Sequence, residues 1–123
     1  MSRIRWLTYR DQQVLLLDFS YCPAPRVEEL AREVQLVITA QERSSVLVLA
    51  DFTGAEFSRE AVTRIKEVTT INRPYVKRAA WVGTETLPEV WFNAIKTFSQ
   101  REFRRCATRE EALGFLTGED CKS

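Results

Sequence analysis

Two stretches, Val14 to Leu17 (VLLL) and Val46 to Ala50 (VLVLA), are apolar at every position, and each runs on to an aspartate followed by a phenylalanine. A strand with one wet face alternates apolar and polar side chains. An unbroken apolar strand needs cover on both faces, the usual setting of parallel strands sandwiched by helices. Between the two runs, Val27, Leu30, Ala31, Val34 and Val37 recur at helical spacing with charges among them, after the break at YCPAP. This predicts a helix from Arg26 to about Glu42. Strand, helix and strand of this kind pair in parallel through a right-handed crossover, so the fold class is α/β.

The rest of the chain extends that unit. Ile4 to Arg10 mixes Trp6, Thr8 and Tyr9 with charges, as a half-wet strand does, and its short link to Val14–Phe19 calls for an antiparallel hairpin. Ser58 has the position of an N-cap, flanked by Phe57 and Val62 as a hydrophobic staple, and Val62, Ile65 and Val68 mark the core face of the helix that follows. Asn72-Arg73-Pro74 stops that helix. Val76 to Val82 (VKRAAWV) is the next strand, closed by Gly83.

Thr86-Leu87-Pro88-Glu89 has the spacing of a capping box, for a helix carrying Trp91, Ala94, Ile95 and Phe98. Phe103 to Cys106 is a short last strand whose Arg104 and Arg105 suit a guarded sheet edge. Thr108-Arg109-Glu110-Glu111 is a second capping box, Ala112, Leu113 and Leu116 form a stripe, and Gly118 is a natural helix terminator. The order is β-β-α-β-α-β-α-β-α. It predicts a mostly parallel sheet of four to five strands, one antiparallel strand at the start, and helices packed on both faces.

A chain of 123 residues is expected to form a single domain over 1–123, with a core from about 3 to 117 and a short tail at 118–123. The 18 basic and 17 acidic residues leave a formal charge of +1, so no overall field draws the chain to nucleic acid or to an anionic membrane. MSRIRWLTYRDQQ lacks the apolar core of a signal peptide, and a cytoplasmic location is the expectation. Cys22, Cys106 and Cys121 are too few and too widely spaced for a disulfide framework or a metal knuckle. With no histidine, the commonest metal ligand and the usual neutral-pH general base are both missing. That absence removes most familiar hydrolase and zinc chemistries.

LDFS at Leu17 to Ser20, SVLVLADFTGAEFS from Ser45, PYVKRAAWVG at Pro74 to Gly83, KTFSQR at Lys96 to Arg101 and ATREEALGFL at Ala107 to Leu116 together resemble the STAS/SpoIIAA-like superfamily. This is the fold of bacterial anti-anti-sigma factors, and the resemblance is closest to an uncharacterised bacterial branch. It covers nearly the whole chain and implies a small regulatory module that works by binding another protein, no enzyme and with no cofactor or metal. In anti-anti-sigma members the helix after the central strand opens on an Asp-Ser-Ser-Gly-like stretch whose first serine is phosphorylated. Matching Asp51, Gly54 and Phe57 to that pattern sets Arg59 at its aspartate, Glu60 at the phosphorylated serine, Ala61 at the second serine and Val62 at the glycine. Either Glu60 holds the module in a phosphorylated-like electrostatic state or it is ordinary charge at a helix start.

The resemblance and the turn chemistry nominate Asp51, Thr53, Gly54, Ser58, Arg59, Glu60 and Trp91 as a partner-binding surface, for a protein partner or a second copy in a homodimer. Two alternatives stand beside it. An apolar pocket between the sheet and its helices could hold a small ligand, a nucleotide or a lipid. Asp18 and Asp51, closing neighbouring strands, could hold Mg²⁺ for phosphate chemistry with Thr84 nearby, against which both aspartates serve equally as turn caps. Arg101, Arg104, Arg105 and Arg109 form a basic cluster for an acidic partner, a phosphate or RNA, or else a solvated surface laced with Glu102, Glu110 and Glu111.

Overall fold

The computed structural model describes residues 3–99 and 102–118. The predicted tail beyond 118, Cys121, Arg101 and the side chains of Phe98 and Glu102 lie outside what is described. Five strands, β1 (Ile4–Tyr9), β2 (Gln12–Asp18), β3 (Val46–Asp51), β4 (Val76–Val82) and β5 (Glu102–Cys106), form one sheet in the order β1-β2-β3-β4-β5. The β1–β2 pair is antiparallel and the others are parallel. The hairpin turns through Arg10 and Asp11 alone, both at positive φ, as a two-residue loop matched to strand twist requires.

Because the parallel strands advance in one direction, crossovers of one hand put their helices on one face. Helices α1 (Ala24–Ile38), α2 (Arg59–Asn72) and α3 (Glu89–Ser99) accordingly cover Leu15, Leu17, Val48, Ala50, Ala79 and Trp81. The opposite set, Val14, Leu16, Leu47, Leu49, Ala80 and Val82, packs under α4 (Arg109–Leu116) through Ala112 and Leu116. All six residues of β3 are buried, which explains its unbroken apolar run.

Two predicted helix starts need correction. α1 begins at Ala24, two residues before Arg26, because Pro23 stands at the N-cap and Pro25 in the first turn, where a missing N–H costs nothing. It ends at Ile38 rather than near Glu42, with the Thr39 hydroxyl and the Gln41 amide donating to the carbonyls of Gln35 and Val37. α3 begins at Glu89, and Thr86 does not cap it: Thr84–Thr86 is a separate 3₁₀ turn. The Thr86 hydroxyl donates instead to the carbonyl of Ala55 on a neighbouring loop, and Pro88 supplies the first helical carbonyl, to Trp91 and Phe92. On α3 it is Phe92 and Ile95 that enter the core, while Trp91 is half-buried at its margin.

The Ser58 cap is as expected, its hydroxyl oxygen accepting from the Ala61 amide, and Phe57 and Val62 join the same apolar cluster. Thr108 caps α4 in the same way, receiving the Glu111 amide, while the Glu111 carboxylate accepts from the amide of Ala107.

Candidate functional site

The carboxyl ends of β2 and β3 carry two closely similar turns, Asp18-Phe19-Ser20 and Asp51-Phe52-Thr53, side by side in register. In each, one carboxylate oxygen accepts both the backbone N–H and the hydroxyl of the residue two places on: Ser20 for Asp18, Thr53 for Asp51. A short polar side chain that folds back on its own backbone in this way makes a turn without glycine. The turn-cap expectation for both aspartates is met.

The loops continue the sheet beyond its strands. Phe19 N–H donates to Asp51 C=O at 2.8 Å, Phe52 N–H to Val82 C=O at 2.9 Å, Tyr21 N–H to Thr53 C=O at 2.8 Å and Glu56 N–H to Cys22 C=O at 2.9 Å. Beneath them Phe19 and Phe52 stack at 4.6 Å between ring centroids, and Phe52 meets Trp81 at 4.5 Å. Loops braced by backbone bonds above and aromatic packing below are not adaptable lids.

Strand alternation turns Asp18 and Asp51 to the α4 side, with Leu16 and Leu49. There they meet Arg109 in the first turn of α4. Its Nε donates to Asp51 Oδ2 at 2.8 Å, and its Nη2 lies 3.9 Å from Asp18 Oδ1. Arg3 comes in from the other side, donating to the carbonyls of Asp18 and Ser20 and lying 3.8 Å from Asp18 Oδ1. The place where a divalent cation would bridge the two carboxylates is thus served by a guanidinium. Among the described residues no group of three or more metal-ligating side chains is assembled. Thr84, the presumed phosphate contact, is buried with its hydroxyl accepting from Arg105 Nε at 3.0 Å.

Burial alone pushes the Asp18 carboxyl up, but the Ser20 hydroxyl and amide and the cations Arg109 and Arg3 outweigh it and hold the group below its ordinary value. The folded state then binds fewer protons than the unfolded one, so its advantage is full above about pH 4 and disappears as the pH falls through the lowered folded value. Urea denaturation between pH 5 and pH 2 is expected to show a steeper loss of stability for the wild type than for Asp18→Asn. Parallel curves would refute the coupling.

The nominated residues separate into a support and a surface. Asp51, 6% exposed, holds the turn from beneath and presents nothing to a partner. Thr53 and Gly54 in the loop and Arg59 and Glu60 in the first helical turn are exposed, with Ser58 half-buried as the cap. Trp91 stands apart on α3, half-buried against the core. Ala61, at the position of the second serine, is wholly buried, so that place in the pattern is a packing position here.

The basic cluster disperses: Arg109 belongs to the aspartates, Arg104 lies over the Phe115 ring, and Arg105 lies 4.1 Å from the Phe92 ring centroid and is paired with Glu89. Tyr21, absent from the sequence-based selection, is the most prominent residue of the surface. It is 73% exposed at φ 59°, a left-handed conformation costly for a tyrosine. Its ring lies across Gly54, where a Cβ would come within 2.4 Å. Nothing in YCP foretells that conformation, since it is imposed by the bond from Tyr21 to Thr53.

No family model and no curated protein matches the chain. Among solved structures it is similar to an uncharacterized protein of the DUF3478 family from Shewanella loihica PV-4, with a TM-score of 0.70 and 18% identity over 92% of this chain and 91% of that one. That protein is described as having a SpoIIAA-like fold. No helix among the described residues is long and apolar enough to cross a membrane. Sheet order, helix placement and this likeness agree, and the chain has a SpoIIAA-like fold.

Proposed function

We propose that the protein is a non-catalytic regulatory module that binds another protein through the loop surface formed by Tyr21, Thr53, Gly54, Glu56, Arg59 and Glu60. The observation that carries this reading is Tyr21: an aromatic ring held in a strained conformation, exposed, and fixed over a glycine by a backbone bond to the next loop. Strain at an exposed residue is a cost to folding that recognition explains, and a rigid aromatic is an efficient anchor because little side-chain entropy is lost on binding. The carboxylates that could do chemistry are engaged in turns and with Arg109 instead. Glu60 fits ordinary helix-start charge, and the hydroxyls of Thr53 and Ser58 already serve turn and cap.

The test compares wild type with Tyr21→Ala and with Arg59→Glu/Glu60→Arg by pull-down and light scattering. Capture of a partner, or self-association, weakened at least tenfold in both variants with unchanged melting temperature supports the reading. A partner that binds all three proteins alike, or the absence of both partner and self-association, overturns it.

A further inference from the structure

The sheet ends on two outer strands, and they are guarded differently. On β5, Arg104 and Arg105 lie over the rings of Phe115 and Phe92, charged side chains of the kind that turn a further strand away. Between Ile4 and Tyr9, β1 has no lysine, proline or acid, Arg5 is its one charge, and its pairs with β2 run without a bulge. The Arg3 carbonyl accepts from the Asp18 amide at 2.8 Å, so in the alternation of an antiparallel pair Arg3, Arg5, Leu7 and Tyr9 bond to β2. Trp6 and Thr8 therefore turn their backbone N–H and C=O groups outward, where they meet no partner among the described residues. Trp6, on the helix-covered face opposite Leu15, is 42% exposed.

We propose that β1 pairs antiparallel with β1 of a second copy, about a two-fold axis between the two Leu7 residues, joining the two sheets into one. The register follows from the outward groups. It sets Trp6 of each copy opposite Thr8 of the other, so that every outward N–H and C=O of these two residues is bonded. On the opposite face Leu7 meets Leu7, Arg5 lies opposite Tyr9, and Asp11 of each copy is carried towards Arg3 of the other. An axis through Arg5 would set two guanidiniums face to face, and one through Trp6 would leave Leu7 opposite Arg5. A foreign extended segment would satisfy the same backbone groups. The second copy is favoured because its own sequence supplies the complement in charge and in shape, and a net charge of +1 sets no barrier between copies.

Sedimentation equilibrium of the full chain, from micromolar to near-millimolar concentration, tests this. A strand edge of six residues is a small interface, so a monomer–dimer equilibrium with a Kd of about 10–100 µM is expected. Thr8→Pro removes an N–H that bonds nothing within the chain, at a sheet edge where proline is tolerated, and should weaken dimerisation about tenfold or more with the melting temperature retained. Trp6→Lys should do the same. Leu7→Cys should form an intermolecular disulfide on mild oxidation, beyond the wild-type level, because the close pair at the axis lies at disulfide distance, whereas Thr8→Cys, opposite Trp6, should not. A chain that stays monomeric at the highest concentration, a dimer that Thr8→Pro and Trp6→Lys leave intact, or crosslinking of Thr8→Cys in place of Leu7→Cys would overturn the proposal. A monomer that captures another protein and loses it in Thr8→Pro would also overturn it, in favour of a foreign strand. Tyr21→Ala should leave this dimerisation unchanged, so the outcome here is separate from that of the loop surface.

Discussion

Replacing Gly83 with alanine is expected to destabilise the protein by about 3–5 kcal/mol, the sum of a left-handed backbone penalty and an overlap that cannot relax. Gly83 sits at φ 68°, and a Cβ there would stand 2.3 Å from Thr53 Oγ1, 2.4 Å from its nitrogen and 2.7 Å from its Cα. Thr53 cannot retreat, because its amide and hydroxyl are bonded to Asp51 and its carbonyl to Tyr21. Two other glycines separate the contributions. Gly118, at φ 80°, has only Arg78 Nη1 within reach at 3.4 Å, so Gly118→Ala should cost about 1 kcal/mol from backbone alone. Gly54→Ala displaces the exposed Tyr21 ring and should fall between the two. Urea denaturation of the three variants checks the order, and equal costs would show that the approach of Thr53 to Gly83 does not matter.

The second large effect is expected at Asp51. Asp51→Ala removes the acceptor for Thr53 and for Arg109 and should cost about 2–4 kcal/mol, since hydrogen bonds to buried charges are the strong ones. Arg109→Met leaves the Asp51 carboxylate buried with only its neutral donors and should cost about 2–3 kcal/mol, tempered because the Arg109 side chain is 40% exposed. The double variant should fall short of the sum by about 1–2 kcal/mol. Additivity would mean that the 2.8 Å contact couples nothing. The same variants address metal chemistry: a rise in melting temperature with Mg²⁺ that is lost in Asp51→Ala would favour a cation over Arg109 at these carboxylates.

The order of elements was legible because it is written in local periods. Two unbroken apolar runs demanded a covered parallel sheet, and the stripes at Val27–Val34 and Val62–Val68 fixed the helices on it. The capping boxes show where that legibility stops. Thr108 and Thr86 have the same spacing to a glutamate, yet Thr108 caps its helix and Thr86 is taken by Ala55, 31 residues away in sequence. Arg109 was visible only as one of several clustered arginines. Its bond to Asp51 spans 58 residues, and the strand register that turns both aspartates towards α4 depends on pairing rather than on local pattern. Tyr21 was missed for a related reason, because its positive φ comes from a bond to a different loop.

The strand order carries a consequence for assembly. Each strand pairs with the one made just before it, so the sheet can be laid down as the chain emerges, without waiting for a distant partner. The exception is α4, the last described element in chain order, which alone of the helices covers Leu16, Leu47, Leu49 and Ala80 and brings the charge that faces Asp51 and Asp18. Without it the sheet face that holds Leu16 and Leu49 is bare, Asp51 loses the guanidinium that faces it, and Asp18 keeps only Arg3. α4 is therefore the latch of the described fold, closing the second face of the sheet and tying the ends of β2 and β3 together through one side chain.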